Sequence, residues 1–506
     1  MLSINKQNIP NKIIYIALFL IAFAAVFSSS YNPLDFRRMH VDSSVYITVA
    51  QGITRGFLPY RDFVDNKGPL AYFLSVPGLL LGGFTGVWIT ELILLFVTAL
   101  FAWKTALFFT TRNKALFATV FSFAALLPFF FVNAGTEEYS LPFLMISFYI
   151  FTKYYFSPKQ EVSFLELTVL GICFACAIMI RLNMFPLWAG FCLVIAVECV
   201  MKRRFLLLGK YAAGFSLGII VVFVPVLLYL KLNGIIDDFF VQVISNGAAR
   251  GFNRSVREIT KIFFKAIRNS NSFLPLFLGF FLIIINFKKS GFNFYIGYTF
   301  SYFLMVLFFS FLSSDPHYNL VLIPYFVPAL TFLTEIIYNA FSRVILSWKT
   351  AYSKYMPLIF LTVFFCLVFS EGLTNYLWDI RAIFYNKSVS SGTKLVNAGK
   401  MIDKNTKPDD KIISLGYNAY IYTFTQRISA SKYFYQGYWL RSIPNAREDF
   451  LSDILTGKPA VIAIFNDVDG IGEIDDYWHD PILKFIDDEY RLLSDENGFK
   501  LFIRND

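Results

Sequence analysis

Long apolar runs separated by short polar segments dominate the first 375 residues of the chain. A membrane-spanning helix needs about 20 mostly apolar residues, and eleven stretches approximate this pattern. They are 13–30, 86–109, 115–133, 140–156, 164–181, 184–200, 206–230, 273–287, 292–312, 318–339 and 356–374. No cleavage site of small residues follows the first run, so we interpret it as a span and not as a signal peptide. The pattern predicts a polytopic α-helical membrane protein.

Lys and Arg residues predict the orientation of these spans. They precede the first span at Lys6 and Lys12, and they recur in every second short loop after it. Because cytoplasmic loops carry an excess of positive residues, we expect a cytoplasmic N-terminus. Eleven spans then place loops 31–85 and 231–272, and the C-terminus, outside the cytoplasm.

The pattern changes after residue 375. Lys411–Leu415 and Pro459–Phe465 are short apolar runs typical of buried strands, and Phe485–Leu493 suggests a helix leading into a last strand, Phe499–Ile503. Residues 376–506 carry a net charge of −3, against +13 for residues 1–375. We therefore divide the chain into a transmembrane domain, 1–375, and a small extracytoplasmic α/β domain, 376–506.

Composition supports the membrane assignment and narrows the chemistry. Hydrophobic residues make up 56% of the chain and charged residues 16%, which excludes an ordinary soluble protein. The net charge of +10 on so apolar a chain favours anionic lipid or a phosphorylated lipid substrate over nucleic acid. Only three His residues are present, and all five Cys lie in apolar runs, which argues against a Cys/His nucleophile or a His-rich metal site.

The first outer loop carries two candidate functional residues. Val45, Val49 and Ile53 have helical spacing, which predicts a surface helix over 43–55 with Asp42 at its start. Asp42 is either a helix cap or a general base at the membrane surface. Lys67 opens a second short apolar segment, 69–83, that we expect Pro77-Gly78 to break. Lys67 is either a snorkelling side chain or a group that neutralises a phosphate.

Three further features are predicted on the same side of the membrane. Glu137 and Glu138 are adjacent in the next outer turn, where they either cap a helix or serve a site. Arg181 stands alone at the outer end of the fifth span, and His317 heads the tenth span. Helix capping alone does not explain why all these charges gather at one face.

These residues lie in motifs that resemble the polytopic glycosyltransferases of the C fold. The resemblance is to the bacterial branch similar to protein O-mannosyltransferases and to the lipid A aminoarabinose transferase. The motifs are Asp42-Ser43-Ser44-x-Tyr46, Pro59-Tyr60-Arg61-Asp62, Asp65-Asn66-Lys67-Gly68-Pro69, Glu137-Glu138-Tyr139 and His317-Tyr318 with Pro324. An early outer loop with surface helices and a late outer domain agree with that family's layout.

The resemblance implies an inverting transfer of a sugar from a polyprenyl-phosphate donor to an acceptor hydroxyl, at a bacterial plasma membrane. Asp42 would be the catalytic base and Lys67 the phosphate-binding residue. The sequence departs from some relatives at the second acidic position, where it has a pair instead of one acid. The remaining expected substrate contacts are Glu137, Glu138, Arg181, His317, Tyr60, Asp65 and Tyr318.

The resemblance also leaves several properties open. Metal dependence varies across this fold, so a divalent metal stays open and no other cofactor is expected. The sugar is not determined, and the acceptor is a cell-envelope glycan, a lipid or a protein.

A row of positive residues follows the seventh span. Their spacing of 4, 3, 4, 4 and 3 places them on one face of a helix, with apolar residues opposite, which predicts an amphipathic helix in the outer interface. This helix is either an anchor on anionic headgroups or an entry platform for the lipid donor. The positive residues are Arg250, Arg254, Arg257, Lys261, Lys265 and Arg268.

Two other functions use similar substrates. A transporter or flippase for lipid-linked sugars usually has charges near the membrane midplane, whereas the charges here gather at the outer ends. A polymerase or ligase of lipid-linked glycans usually has one large outer loop late in the chain. The early Asp42 loop and the C-terminal domain favour the transferase.

Overall fold

The computed structural model describes most of the chain. The described residues are 9–27, 29, 31–34, 40–130, 135–246, 255–269, 273–310, 316–345, 391–416, 419–465, 476–496 and 499–505, with isolated residues between 359 and 381. The predicted span 356–374 therefore lies almost entirely outside the described residues.

Helices form nearly all of the described structure before residue 346. In chain order they are α1 (Asn11–Phe27), α2 (Val41–Thr54), α3 (Leu70–Phe73), α4 (Val76–Ala106), α5 (Arg112–Leu126), α6 (Thr136–Phe156), α7 (Phe164–Ile180), α8 (Pro186–Met201), α9 (Phe205–Leu232), α10 (Ile236–Phe239), α11 (Val256–Asn269), α12 (Phe273–Ile285), α13 (Phe287–Ser310) and α14 (Ile323–Ile345). Short 3-10 turns precede α8 and α14, and a π-helical turn, Phe240–Ser245, follows α10.

Four of the described helices are long and apolar enough to cross a membrane. They are Val76–Ala106, Phe205–Leu232, Phe287–Phe309 and His317–Ser342, the last including the 3-10 turn before α14. Shorter apolar helices are Asn11–Phe27, Phe164–Ile180 and Pro186–Met201. Each predicted span up to residue 339 contains a helix, but within the described ranges length and composition identify four candidate spans.

Close helix contacts depend on small residues. The backbone of α7 approaches that of α9 where Gly171 meets Gly218, and a Cβ added to Gly171 would lie 2.0 Å from the carbonyl oxygen of Phe215. Such close approaches are typical of helices that pack in membranes. The surrounding core is rich in aromatic rings, including the stacked pair Phe151 and Phe191, whose centroids are 4.8 Å apart.

The expected break at Pro77-Gly78 is wrong. Helix α4 begins at Val76 and continues through Pro77, because the first turn of a helix does not need the missing proline N–H. The actual irregularity lies at Gly82 and Gly83, where Gly83 has φ +59°. The apolar segment after Lys67 is therefore the short α3 followed directly by the start of α4.

The chain after residue 390 forms a five-stranded mixed sheet with helices. The elements are α15 (Ser391–Asn405), β1 (Lys411–Leu415), α16 (Tyr420–Thr425), β2 (Ile428–Ser429), α17 (Ala446–Gly457), β3 (Val461–Phe465), α18 (Asp476–Glu489), β4 (Tyr490–Glu496) and β5 (Phe499–Arg504). The strand order is β2-β1-β3-β5-β4. The pairs β2-β1 and β1-β3 are parallel, and β3-β5 and β5-β4 are antiparallel. We call Ser391–Arg504 the C-terminal segment.

The C-terminal segment packs directly on α2. The side-chain hydroxyls of Thr48 and Thr423 are 3.0 Å apart, and the backbone N–H of Ala419 donates to Ser44 Oγ at 3.3 Å. The two parts share one apolar core, in which Phe63 meets the Phe434 ring edge to face at 5.4 Å. This packing holds α2 and the Lys67 turn between the helical bundle and the sheet.

Candidate active site

Asp42 lies in the first turn of α2, and the cap of that helix is His40. The backbone N–H of Asp42 donates to His40 Nδ1 at 3.3 Å, so the imidazole satisfies a backbone donor that the first helical turn leaves open. The capping position is therefore not Asp42. The Asp42 carboxylate is stabilised by the helix dipole at the N-terminus of α2, but it does not act as the helix cap.

Positive groups surround the Asp42 carboxylate. Burial raises the pKa of Asp42, but Lys67 lowers it more than any other charge, and His40, His317 and Arg181 lower it further. The net result is a pKa below the ordinary value of this side chain. Asp42 is therefore ionised at neutral pH and can accept a hydrogen bond or a proton from a hydroxyl group.

The turn that carries Lys67 fits against the end of α7. The backbone N–H of Gly68 donates to the carbonyl of Ile180 at 3.1 Å. A Cβ added to Gly68 would lie 2.1 Å from the carbonyl oxygen of Met179, so only glycine allows this approach. Lys67 Nζ donates to Asn66 Oδ1 at 2.6 Å and lies 5.7 Å from the centroid of the Tyr46 ring, one turn after Asp42 on α2.

Glu137 and Arg181 form an ion pair across two helix ends. Glu137 is in the first turn of α6, and Gly135 is the cap of that helix. Glu137 pairs with Arg181, and Glu137 Oε2 accepts a hydrogen bond from Thr136 Oγ1 at 2.9 Å. Arg181 follows α7 directly and donates to Tyr318 Oη at 3.1 Å, with the guanidinium 4.7 Å from the Tyr318 ring centroid. Glu137 and Glu138 are both 3% exposed. Neither acid supplies the capping group of α6.

His317 completes the group around Asp42. Its ring centroid is 6.3 Å from that of His40 and 4.3 Å from that of Tyr318. The start of α2, the end of α7 and the turn before α14 thus meet. The residues brought together there are Asp42, Lys67, Glu137, Arg181, His317 and Tyr318.

Tyr60 and Asp65 are buried beside the Lys67 turn. Tyr60 has a positive φ of 69°, and its hydroxyl donates to the Lys67 carbonyl at 2.8 Å. Asp65 is 1% exposed, and its two oxygens accept from Tyr72 at 2.6 Å and Tyr435 at 2.7 Å. Burial, followed by the Asp65 charge, raises the pKa of Tyr72 well above its ordinary value, so this hydroxyl remains a donor.

The predicted amphipathic helix is α11. Arg257, Lys261 and Lys265 are exposed, whereas Ile259 and Ile262 are half-buried. Arg250, Arg254 and the side chain of Arg268 lie outside the described residues. The described part of the helix therefore has an exposed basic row and a half-buried apolar row, of which Phe263 packs against the helical core.

Some contributors to this region are not among the predicted site residues. His40 could have been singled out as one of only three His residues, two positions before Asp42. Nothing local marks Gln242, whose side-chain Nε2 donates to the carbonyl of Tyr60 at 2.6 Å. Glu91 is fully buried in α4 and accepts from Ser29 Oγ at 2.6 Å.

Metal-ligating side chains do not cluster in the described part of the chain. Among those residues, no group of three or more His, Cys, Asp and Glu side chains is placed to hold a metal ion.

Comparison with solved structures identifies the fold. The chain superposes on ArnT from Cupriavidus metallidurans in the apo state with a TM-score of 0.62 and 14% identity, covering 97% of both chains. The form of ArnT bound to undecaprenyl phosphate gives 0.60 and 13%, again covering 97% of both chains. The chain has the C-type glycosyltransferase fold.

A second C-type glycosyltransferase structure extends the comparison. The oligosaccharyltransferase AglB from Archaeoglobus fulgidus, in complex with an inhibitory peptide and a dolichol-phosphate, matches with a TM-score of 0.52 and 11% identity. The match covers 89% of this chain and 69% of AglB. No protein-family model and no curated protein matches the sequence. The comparison thus confirms the C-fold resemblance that the sequence motifs suggest, whereas the count of eleven spans stays a prediction.

Proposed function

We propose that the protein is an inverting glycosyltransferase that moves a sugar from a polyprenyl-phosphate donor to an acceptor hydroxyl. The observation that carries this proposal is the ionised Asp42 carboxylate beside Lys67, His40, His317 and Arg181. A carboxylate next to a group of cations suits a reaction in which a hydroxyl loses a proton while a phosphate leaves. The C-type fold, shared with ArnT bound to undecaprenyl phosphate, supports the lipid-phosphate donor.

In the proposed reaction the acceptor oxygen attacks C1 of the sugar from the face opposite the phosphate. The C1–O bond to the phosphate breaks, and the polyprenyl phosphate leaves with the electron pair. Asp42 takes the proton of the attacking hydroxyl. Because its pKa is low, Asp42 is a weak base, so proton transfer should come late, when the new C–O bond has made the hydroxyl acidic.

The cations in this proposal act on the leaving group. Lys67 neutralises the charge that grows on the leaving phosphate, and His317 and Arg181 contact the same phosphate. Tyr318 orients Arg181 through its hydroxyl and its ring. Glu138 orients the acceptor, and Glu137 holds Arg181 in place.

We further propose that the site faces the outside of a bacterial plasma membrane, with a cytoplasmic N-terminus. The chain then divides into a transmembrane domain of about eleven spans, 1–375, and an extracytoplasmic α/β domain, 376–506. The acceptor belongs to the cell envelope as a glycan, a lipid or a protein. The basic face of α11 meets membrane lipid or the donor headgroup.

Purified protein incubated with a panel of polyprenyl-phosphate sugars tests this function. We expect release of polyprenyl phosphate and formation of an inverted glycoside. Asp42→Asn should lower kcat by about 10²- to 10⁴-fold while the donor KM changes little, because the amide keeps the shape of the carboxyl group. Tyr490→Phe, a buried change in the C-terminal segment, is the matched control. Full activity of Asp42→Asn would refute the catalytic assignment.

A transporter of lipid-linked sugars is the alternative that Glu91 favours. A fully buried carboxyl inside a candidate span is typical of coupling residues in transporters. Reconstituted vesicles distinguish the two functions. A transporter moves the lipid-linked sugar between leaflets without forming a glycoside, and Asp42→Asn does not stop that movement. Glycoside formation that is lost in Asp42→Asn supports the transferase.

A further inference from the structure

A buried carboxylate joins the C-terminal segment to the Lys67 turn. Asp65 Oδ1 accepts from the hydroxyl of Tyr435 at 2.7 Å, and Asp65 Oδ2 accepts from the hydroxyl of Tyr72 at 2.6 Å. Tyr435 lies 370 positions further along the chain. Losing a hydrogen bond to a buried polar atom leaves a costly unsatisfied oxygen.

The same network fixes the backbone at Lys67. The Lys67 carbonyl accepts from Tyr60 Oη at 2.8 Å, and Tyr72 Oη lies 3.4 Å from that carbonyl oxygen. The side chain of Gln242 accepts from the backbone N–H of Asp65 at 3.2 Å. Tyr72 therefore contacts both the Asp65 carboxylate and the Lys67 carbonyl, and a shift of one should move the other.

The C-terminal segment also contacts both sides of the site. It touches α2, which carries Asp42, through Thr423 and Ala419. It touches the strand-like segment before Lys67 through the Lys432 carbonyl, which accepts from the backbone N–H of Val64 at 2.9 Å. One body that holds both elements can set the separation between Asp42 and Lys67.

We propose that Tyr435 and Asp65 are positioning residues, through which the C-terminal segment holds Lys67 at the distance from Asp42 that donor binding requires. This inference rests on the proposed role of Lys67 as the phosphate-binding residue. Small displacements of a positioned group weaken catalysis strongly. Removing a single hydroxyl from this network should therefore have a measurable effect on the kinetics.

Kinetics of Tyr435→Phe in the full-length protein test the inference. We expect the donor KM to rise by about 10-fold with kcat within about 3-fold of wild type, because the catalytic carboxylate is untouched. Asp65→Asn should raise the donor KM similarly. Asp65→Asn leaves one accepting oxygen for two tyrosine hydroxyls, so the loss in the double variant should be smaller than the sum of the two single losses, because both changes act on one network. Hydrogen exchange over residues 63–68 should rise in Tyr435→Phe.

Tyr490→Phe is the matched control, because Tyr490 is a buried tyrosine of the same segment whose hydroxyl donates to the Pro459 carbonyl at 2.7 Å. We expect its donor KM, and its exchange over residues 63–68, to equal those of wild type. A donor KM or an exchange rate in Tyr435→Phe that matches Tyr490→Phe overturns the positioning role. Lys67→Met distinguishes this outcome from a failure of the proposed function. If Lys67→Met strongly lowers transfer in the same assay, the proposed function stands even though the positioning role is overturned. Wild-type transfer by Lys67→Met overturns the proposed function and, with it, the role of the network in donor binding.

Discussion

Glu137 and Arg181 form an ion pair in which both side chains are largely removed from solvent, with exposures of 3% and 11%. The two residues come from different helix ends, so the pair fixes the start of α6 against the end of α7. Arg181 also stacks on Tyr318. The pair therefore joins three elements that border the Asp42 carboxylate.

Removing the cation of this pair should destabilise the protein. Arg181→Met leaves the Glu137 carboxylate buried without its charge partner, which typically costs about 3 to 5 kcal/mol of unfolding free energy. Arg181→Met combined with Glu137→Gln should recover most of that loss. The melting temperature of the purified protein in detergent measures both. Equal melting temperatures for Arg181→Met and the double variant would contradict a coupled pair.

Gly68 should be intolerant of the smallest side chain. Gly68→Ala pushes a methyl group against the Met179 carbonyl oxygen, 2.1 Å from the ideal Cβ position, so the Lys67 turn must move away from α7. We expect the donor KM to rise by about 10-fold or more. Gly209→Ala is the control, because no atom lies within 4 Å of its added Cβ. Donor KM values that are equal in the two variants would disprove the fit.

The local parts of the site could be predicted from the sequence. Apolar spacing after Asp42 predicts the helix, and the structure has it as α2 over Val41–Thr54. The strands β1, β3 and β5 likewise coincide with short apolar runs. In each case a few neighbouring residues decide the structure, because periodicity is a local property.

Contacts between distant positions could not be predicted in this way. From the sequence, Asp65 is a possible substrate contact. In the structure its two oxygens accept hydrogen bonds from Tyr72 and Tyr435. A proline can either break a helix or lie in its first turn, and the residue type alone does not decide between the two. Pro77 lies in the first turn of α4, which therefore begins at Val76. Span count is similarly difficult, because helices such as Arg112–Leu126 are shorter than the membrane core requires.

The pH dependence of transfer should report the charge of Lys67. Asp42 accepts a proton only when ionised, so the rate falls as pH drops through its pKa. In wild type that pKa lies below its ordinary value, so this group causes no loss of kcat/KM between about pH 5 and 8. Lys67→Met removes the strongest lowering charge while burial still raises the pKa.

We therefore expect the acid limb of kcat/KM to move to higher pH in Lys67→Met, measured on residual activity with labelled donor. Lys67→Arg keeps the charge and should keep the acid limb near its wild-type position. An acid limb at the same pH in both variants would show that Lys67 does not act on the Asp42 carboxylate.

The basic face of α11 should contribute to donor binding. Lys261 and Lys265 are exposed, whereas Ile259 and Ile262 are half-buried, so the charges can meet a phosphorylated headgroup. Each Lys near an anionic surface contributes about 1 kcal/mol. Lys261→Glu with Lys265→Glu should therefore raise the donor KM by about 10-fold or more. Lys400→Glu with Lys404→Glu reverses two exposed charges on α15 and is expected to leave the donor KM unchanged. If the α11 variant instead keeps its donor KM but hydrogen exchange over residues 256–265 rises in anionic vesicles, the helix is a surface anchor and not a donor platform.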